Sequence, residues 1–148
     1  MNFKTHQRGF SLIEIMVVIV IMGLLIGVVG PRVFQNVEKA QIETAKANMA
    51  NLKTALDSYR LDNYRYPTTE QGLDALIMKP DVDPEPKKWR QYMDKLPRDP
   101  WDNDYQYISP SDNGKPFDIY TLGADGVRGG EGNDADISFW DDAGGSVN

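Results

Sequence analysis

The chain has 148 residues, no cysteine, one histidine (His6) and a formal net charge of −6. No disulfide can hold the fold, and zinc or another soft metal is poorly provided with ligands. The acidic balance argues against a nucleic-acid partner, which requires a basic footprint, and leaves either a solvated acidic surface or a cation site.

In chain order, residues 1–9 form a short leader carrying Lys4 and Arg8, and its removal would take the net charge to −8. From Phe10 to Gly30 only Ser11 and Glu14 are strongly polar. A helix of that length spans a hydrocarbon core of ~30 Å. The two basic residues before it place that end in the cytoplasm by the positive-inside rule. Glu14 is costly there, by roughly 2.5–3.5 kcal/mol at the bilayer centre and less near the interface, so it calls for a partner. Gly9-Phe10 lies on the wrong side of the apolar run for ordinary signal peptidase. Cleavage after Gly9 would put a new amino group on Phe10, four residues from Glu14. That amino group can neutralise the carboxylate within one chain or between neighbours.

The stretch Gly9-Phe10-Ser11-Leu12-Ile13-Glu14 resembles the class III signal of type IV pilins and pseudopilins. The resemblance implies cleavage after Gly9 by a prepilin peptidase and methylation of Phe10. It also implies that Glu14 pairs with the terminus of a neighbouring subunit. Residues 10–30 are then the transmembrane and assembly helix, and residues 31–148 one periplasmic domain that includes the second half of that helix.

Pro31 is expected to kink or loosen the helix, because it lacks an N–H and crowds a carbonyl one turn back. Beyond it, Ile42, Ala45, Met49, Leu52, Leu56 and Tyr59 fall at spacings of 3 and 4, one apolar stripe. The stripe is read as a core face, and Val33, Phe34 and Val37 upstream as helix-on-helix contacts of a polymer. A continuous helix from Phe10 to Leu61 would be roughly 75 Å long. Asn63–Pro67 breaks it, and Thr68 with Gln71 offers a capping box for a short helix that Pro80 ends. Residues 80–88 read as an extended loop, Trp89 and Tyr92 as a turn against the core, and Leu96–Asp104 as a turn-rich connector. Strands are expected at Tyr105–Ser109 and Phe117–Thr121, joined by a hairpin turn at Pro110–Gly114, with a short third at Ile137–Trp140. The tail Asp141–Asn148 reads as frayed. The fold class is α+β: one long helix on a small antiparallel sheet.

Leu61–Leu73, Leu96–Trp101, Tyr105–Tyr107, Leu122–Gly126 and Gly129–Gly132 are similar to stretches of the major pseudopilins of type II secretion. Departures are Asp102, where that family usually has glycine, Phe139, where it usually has asparagine, and the segments Asp81–Asp83 and Trp89–Tyr92. The resemblance implies a pilin-like fold and a homopolymer in a periplasmic filament that drives export of folded proteins. Its partners would be minor pseudopilins, the inner-membrane secretion platform and prepilin peptidase. A type IV pilin or minor pseudopilin, and an anchored calcium-dependent module that never polymerises, are the competing readings.

Residues 122–136 combine five glycines with Asp125, Glu131, Asp134 and Asp136. Glycines let the backbone turn carbonyls inward, and spaced carboxylates add hard oxygen, a combination suited to Ca²⁺ better than to Mg²⁺. The spacing is not that of an EF-hand, and composition alone favours a solvated acidic loop over a metal site. The family resemblance implies calcium, with the Asp125 and Asp136 side chains and the Leu122 and Arg128 carbonyls as ligands and Glu131 and Asp134 as further candidates. No enzyme is visible: the histidine lies in the leader, no serine sits in a nucleophile elbow, and Asp99, Asp102 and Asp104 read as turn residues.

Overall fold

The computed structural model describes residues 9–141, with the backbone alone at 29–33. The leader before Gly9, the tail after Asp141 and the side chains of Pro31 and Val33 lie outside the described residues. The chain divides into two compact units, Met1–Val37 and Glu38–Asn148. Helix α1 runs from Leu12 to Asn63 and is not interrupted at Pro31.

In the first unit, Ser11 opens α1. The Glu14 and Ile15 amides donate to the Ser11 carbonyl at 3.0 and 3.3 Å. Every described Leu, Ile, Val, Met and Phe side chain from Phe10 to Val28 is exposed, as are Phe34 and Val37. Among the described residues no helix is long and apolar enough to cross a membrane.

In the second unit the stripe on α1 is the core face. Ala45, Met49, Leu52, Leu56 and Tyr59 are fully buried, Ile42 is half-buried, and Ala55 widens the face. Leu73, Leu76, Tyr105, Tyr107, Phe117, Ile119 and Ile137 close over it. Each large apolar side chain buried there is worth about 1.5–3 kcal/mol. The helix stops where Tyr64 enters the left-handed region at φ 62°, its amide turned back to the Arg60 carbonyl at 2.7 Å.

The Thr68–Gln71 capping box forms reciprocally. The Thr68 amide donates to Gln71 Oε1 at 3.1 Å, and the Gln71 amide to Thr68 Oγ1 at 3.2 Å. The helical element behind this box is only a 3₁₀ turn, Leu73–Leu76, ending short of Pro80. The next segment captures the carbonyls a longer helix would need. Trp89 Nε1 donates to the Ala75 carbonyl at 2.7 Å, and the Tyr92 and Met93 amides donate to Leu76 at 2.9 and 3.1 Å.

Three antiparallel strands come next, in the order β1 (Gln106–Ile108), β2 (Asp118–Thr121) and β3 (Ile137–Ser138). Tyr107 faces Ile119 across β1–β2, and Thr121 faces Ile137 across β2–β3. The strands are shorter than their apolar patterns because side chains take over the ladder at their ends. The Ser109 amide donates to Thr69 Oγ1 at 2.9 Å, and the Trp140 amide to Ser138 Oγ at 3.1 Å. Tyr105 and Phe117 are buried just outside the ladder.

The connector before β1 is a tight turn built on Asp99, whose side chain is buried. Asp99 Oδ1 accepts from the Trp101 amide at 3.0 Å and the Asn103 amide at 2.7 Å, while Oδ2 accepts from the Thr121 hydroxyl. Asp102, at the position where the resembling family usually carries glycine, takes φ 68°.

Candidate functional site: the helix start and the glycine-rich loop

Two sets of candidate residues emerge, one in each unit. In the first, Glu14 is exposed one turn into α1, and its Oε2 lies 3.4 Å from the Ser11 amide nitrogen, which donates to it. Ser11 and Glu14 thus form the return half of a capping box at the helix start. This role of Ser11 was missed in the sequence, although Ser-x-x-Glu is the signature of that cap. Gly9 and Phe10 precede the helix, both exposed. A carboxylate one turn inside a helix N-terminus also meets the positive end of the helix dipole. Among the described residues the Ser11 amide is the hydrogen-bond donor that Glu14 has.

The second set is the loop between β2 and β3. Its root is closed by backbone: the Ala124 amide donates to the Asn133 carbonyl at 2.9 Å. Gly123 has φ 68°, and a Cβ there would lie 2.7–2.8 Å from the backbone of Asn133 and Asp134. Gly130 has φ 91°, and a Cβ there would come within 2.4 Å of the Asp134 carbonyl oxygen. Only glycine allows either approach.

The two carboxylates singled out from the sequence each hold a backbone amide of this loop. Asp125 Oδ1 accepts from the Val127 amide at 3.0 Å, and Asp136 Oδ2 accepts from the Gly129 amide at 3.0 Å. The two side chains thereby flank the backbone of Arg128, whose guanidinium reaches the Tyr120 hydroxyl at 3.2 Å. Leu122 is half-buried at the end of β2, and Glu131 and Asp134 are exposed. Among the described residues no three His, Asp or Glu side chains form a group that could hold a metal ion.

A further oxygen, not singled out from the sequence, lies in the same loop. Asn133 Oδ1 is buried without a hydrogen-bond donor. A buried oxygen of this kind needs a partner, and an amide oxygen is an ordinary calcium ligand. The oxygens this loop carries, two carboxylates, an orphaned amide oxygen and backbone carbonyls, are all hard ones. They fit a cation of flexible coordination completed by water.

Beside the loop, Asp118 on β2 accepts from Ser138 Oγ at 2.7 Å. Burial pushes its carboxyl above the usual carboxylate range, and Asp141 adds to the effect. Asp112, Asp118, Tyr120, Arg128, Asp136 and Asp141 line one open cleft there.

Known proteins resemble the chain along most of its length. A family model described as "Type II secretion system (T2SS), protein G" matches residues 32–140, and one described as "Prokaryotic N-terminal methylation motif" matches residues 4–30. The type II secretion system core protein G of Pseudomonas aeruginosa is 51% identical over 140 residues, covering 93% of this chain and 98% of that protein. That of Vibrio cholerae serotype O1 is 53% identical over 142 residues, covering 95% and 96%. The crystal structure of the major pseudopilin from the type 2 secretion system of enterohaemorrhagic Escherichia coli superposes with a TM-score of 0.64 at 47% identity, covering 71% of this chain and 90% of that one. By the long stretch matched and the level of identity, the chain belongs to the type II secretion system protein G family.

Proposed function

We propose that this chain is the major structural subunit of a type II secretion pseudopilus, held in the inner membrane by its apolar helix and polymerised through it into a periplasmic filament. The role is structural, not enzymatic, as in the family to which the chain belongs. The observation that carries the reading is the first unit of α1. A helix that exposes apolar side chains on every face from Leu12 to Val28 requires lipid or other helices around it. In sequence the apolar run continues to Gly30, and the N-terminal methylation motif spans it.

The leader is removed after Gly9, and Phe10 becomes the methylated terminus. Glu14 then exchanges the Ser11 amide, its donor in the uncleaved chain, for a charged amino group. In a low-dielectric helix bundle an unpaired carboxylate is costly, so docking favours the register in which Glu14 meets the Phe10 terminus of a neighbour. Pro31 supplies the point at which the helix can loosen during packing. The self-contacts extend to minor pseudopilins and the inner-membrane platform, and prepilin peptidase acts on the leader.

The loop of the second unit is read as a calcium site. Asp125 and Asp136 supply the carboxylates, the Leu122 and Arg128 carbonyls supply neutral oxygens, and Glu131 and Asp134 are outer candidates. Calcium there would neutralise two like charges held either side of Arg128. The chain's own contribution is to hold those oxygens with backbone hydrogen bonds on a loop whose root only glycine can close.

The test is the intact mass of the chain from membranes with and without prepilin peptidase, together with filament yield of Glu14→Ala. A chain beginning at methylated Phe10 only when the peptidase is present, and loss of filaments in Glu14→Ala, are expected. A chain starting at Met1 in both membranes would sink the proposal. For calcium, the thermal midpoint of wild type should rise on addition of calcium over chelator, and Asp125→Ala should abolish that rise.

A further inference from the structure

The turn at residues 99–103 and the glycine-rich loop are far apart in sequence, yet both peptide groups of Gly123 are held from that turn. Asn103 Nδ2 donates to the Gly123 carbonyl at 3.2 Å. The Gly123 amide donates to Thr121 Oγ1 at 3.3 Å, and that hydroxyl in turn donates to Asp99 Oδ2. Thr121 is fully buried and Asp99 nearly so. The Asp99 amide also donates to the Asn103 carbonyl at 2.9 Å, so the turn is closed from both directions before it reaches the loop. Asn103 Oδ1 lies 3.9 Å from where a Cβ on Gly126 would sit, which places the side chain alongside the 123–126 segment.

We propose that Asn103, with Thr121 and Asp99 behind it, is a positioning residue that decides which backbone carbonyl of the loop is free to bind a cation. The inference rests on the calcium reading of the loop. In a trans peptide the N–H and C=O point in opposite directions. Holding the Gly123 amide on Thr121 therefore turns the Leu122 carbonyl away from Thr121. The next carbonyl along, that of Gly123, is occupied by Asn103. The clamp thus selects Leu122 over Gly123 as the backbone ligand and fixes the entry to Asp125, two residues further on. The Gly123–Ala124 peptide is also held at its N–H, since the Ala124 amide donates to the Asn133 carbonyl at 2.9 Å, so the Asn103 bond acts on the Gly123 carbonyl itself.

Outer partners that orient ligands typically change metal affinity 10–100-fold when removed. The experiment titrates calcium alone into the full chain in detergent by calorimetry, for wild type, Asn103→Ala and the near-isosteric Asn103→Leu. Thermal midpoints are recorded in chelator and in calcium. Asn103 is half-exposed, so both variants should fold. Affinity is expected to fall about 10-fold or more in both. The midpoint in chelator should stay close to wild type while the rise on adding calcium shrinks. A purely structural asparagine would instead lower both midpoints equally and leave the dissociation constant alone, which overturns the inference. Wild type that takes up no calcium would overturn the calcium reading itself, and the inference with it.

Discussion

Replacing Asp99 by alanine should be among the most destabilising polar substitutions in the second unit. The carboxylate is 4% exposed and accepts three hydrogen bonds, from the Trp101 and Asn103 amides and the Thr121 hydroxyl. Hydrogen bonds to a charged group contribute about 1.5–3 kcal/mol, and a buried donor left alone costs about 1–3 kcal/mol. Thr121 is fully buried, so its hydroxyl is assigned the middle of that range, about 2 kcal/mol. Trp101 and Asn103 are half-exposed, and water can reach their amides, so each adds about 0.5–1 kcal/mol. The expected loss is about 3–4 kcal/mol for Asp99→Ala. Asp99→Asn keeps one oxygen for the two amides and loses mainly the Thr121 contact, so it should cost about 1–2 kcal/mol. The assay is equilibrium urea unfolding of the full chain in detergent and chelator, followed by tryptophan fluorescence, with the slope checked for constancy. A loss below about 1 kcal/mol for alanine, or asparagine as damaging as alanine, would refute the reasoning.

Three further outcomes are expected. Asp118→Asn should stabilise the fold at neutral pH: the raised carboxyl binds its proton more tightly when folded, so ionisation is a penalty fully present above the folded pKa and absent below the ordinary value of about 3.9. Urea midpoints of wild type and variant should therefore converge as the pH falls through that window. Tyr64→Gly should stabilise by about 0.5–1 kcal/mol, since the left-handed residue after α1 is 83% exposed and glycine removes its steric cost; an unchanged urea midpoint would count against this. Leu56→Ala should cost about 3 kcal/mol by the same unfolding assay, while Leu61→Ala, at 78% exposure, should stay within about 0.5 kcal/mol.

The elements legible in the sequence were those whose pattern repeats. The stripe from Ile42 to Tyr59 reads directly because a helix face recurs every three or four residues, and each of its last five members is fully buried. Phe117, Ile119 and Thr121 alternate into the core as a strand should, although only the last two belong to the ladder. The Thr68–Gln71 box was readable as a cap, but not the fate of the turn behind it, which depends on Trp89 and Tyr92 arriving from outside to take its carbonyls. Asp99 and Thr121 were hidden for a different reason. Polar residues carry no period, and their burial depends on a hydrogen bond between residues 22 apart. In the loop, the acidic residues and glycines were visible, whereas the orphaned oxygen of Asn133 and the grip of Asn103 exist only once the backbone is folded.

The order in which the second unit's parts are made has a cost during synthesis. The core face of α1 is complete at Tyr59, but beyond Leu73 and Leu76 most of its cover comes from Tyr105 onward, and Tyr105 donates its hydroxyl to the Ala45 carbonyl 60 residues back at 3.4 Å. At ~5–20 residues per second, several seconds separate the emergence of the stripe from that of its partners. β1, β2 and β3 pair only with sequence neighbours, so the sheet can form as soon as it is made. Until then Met49, Leu52, Leu56 and Tyr59 present a continuous sticky surface behind an already apolar segment. A nascent chain stalled before Tyr105 is thus the form most in need of a chaperone, and the one that quality-control proteases should find first.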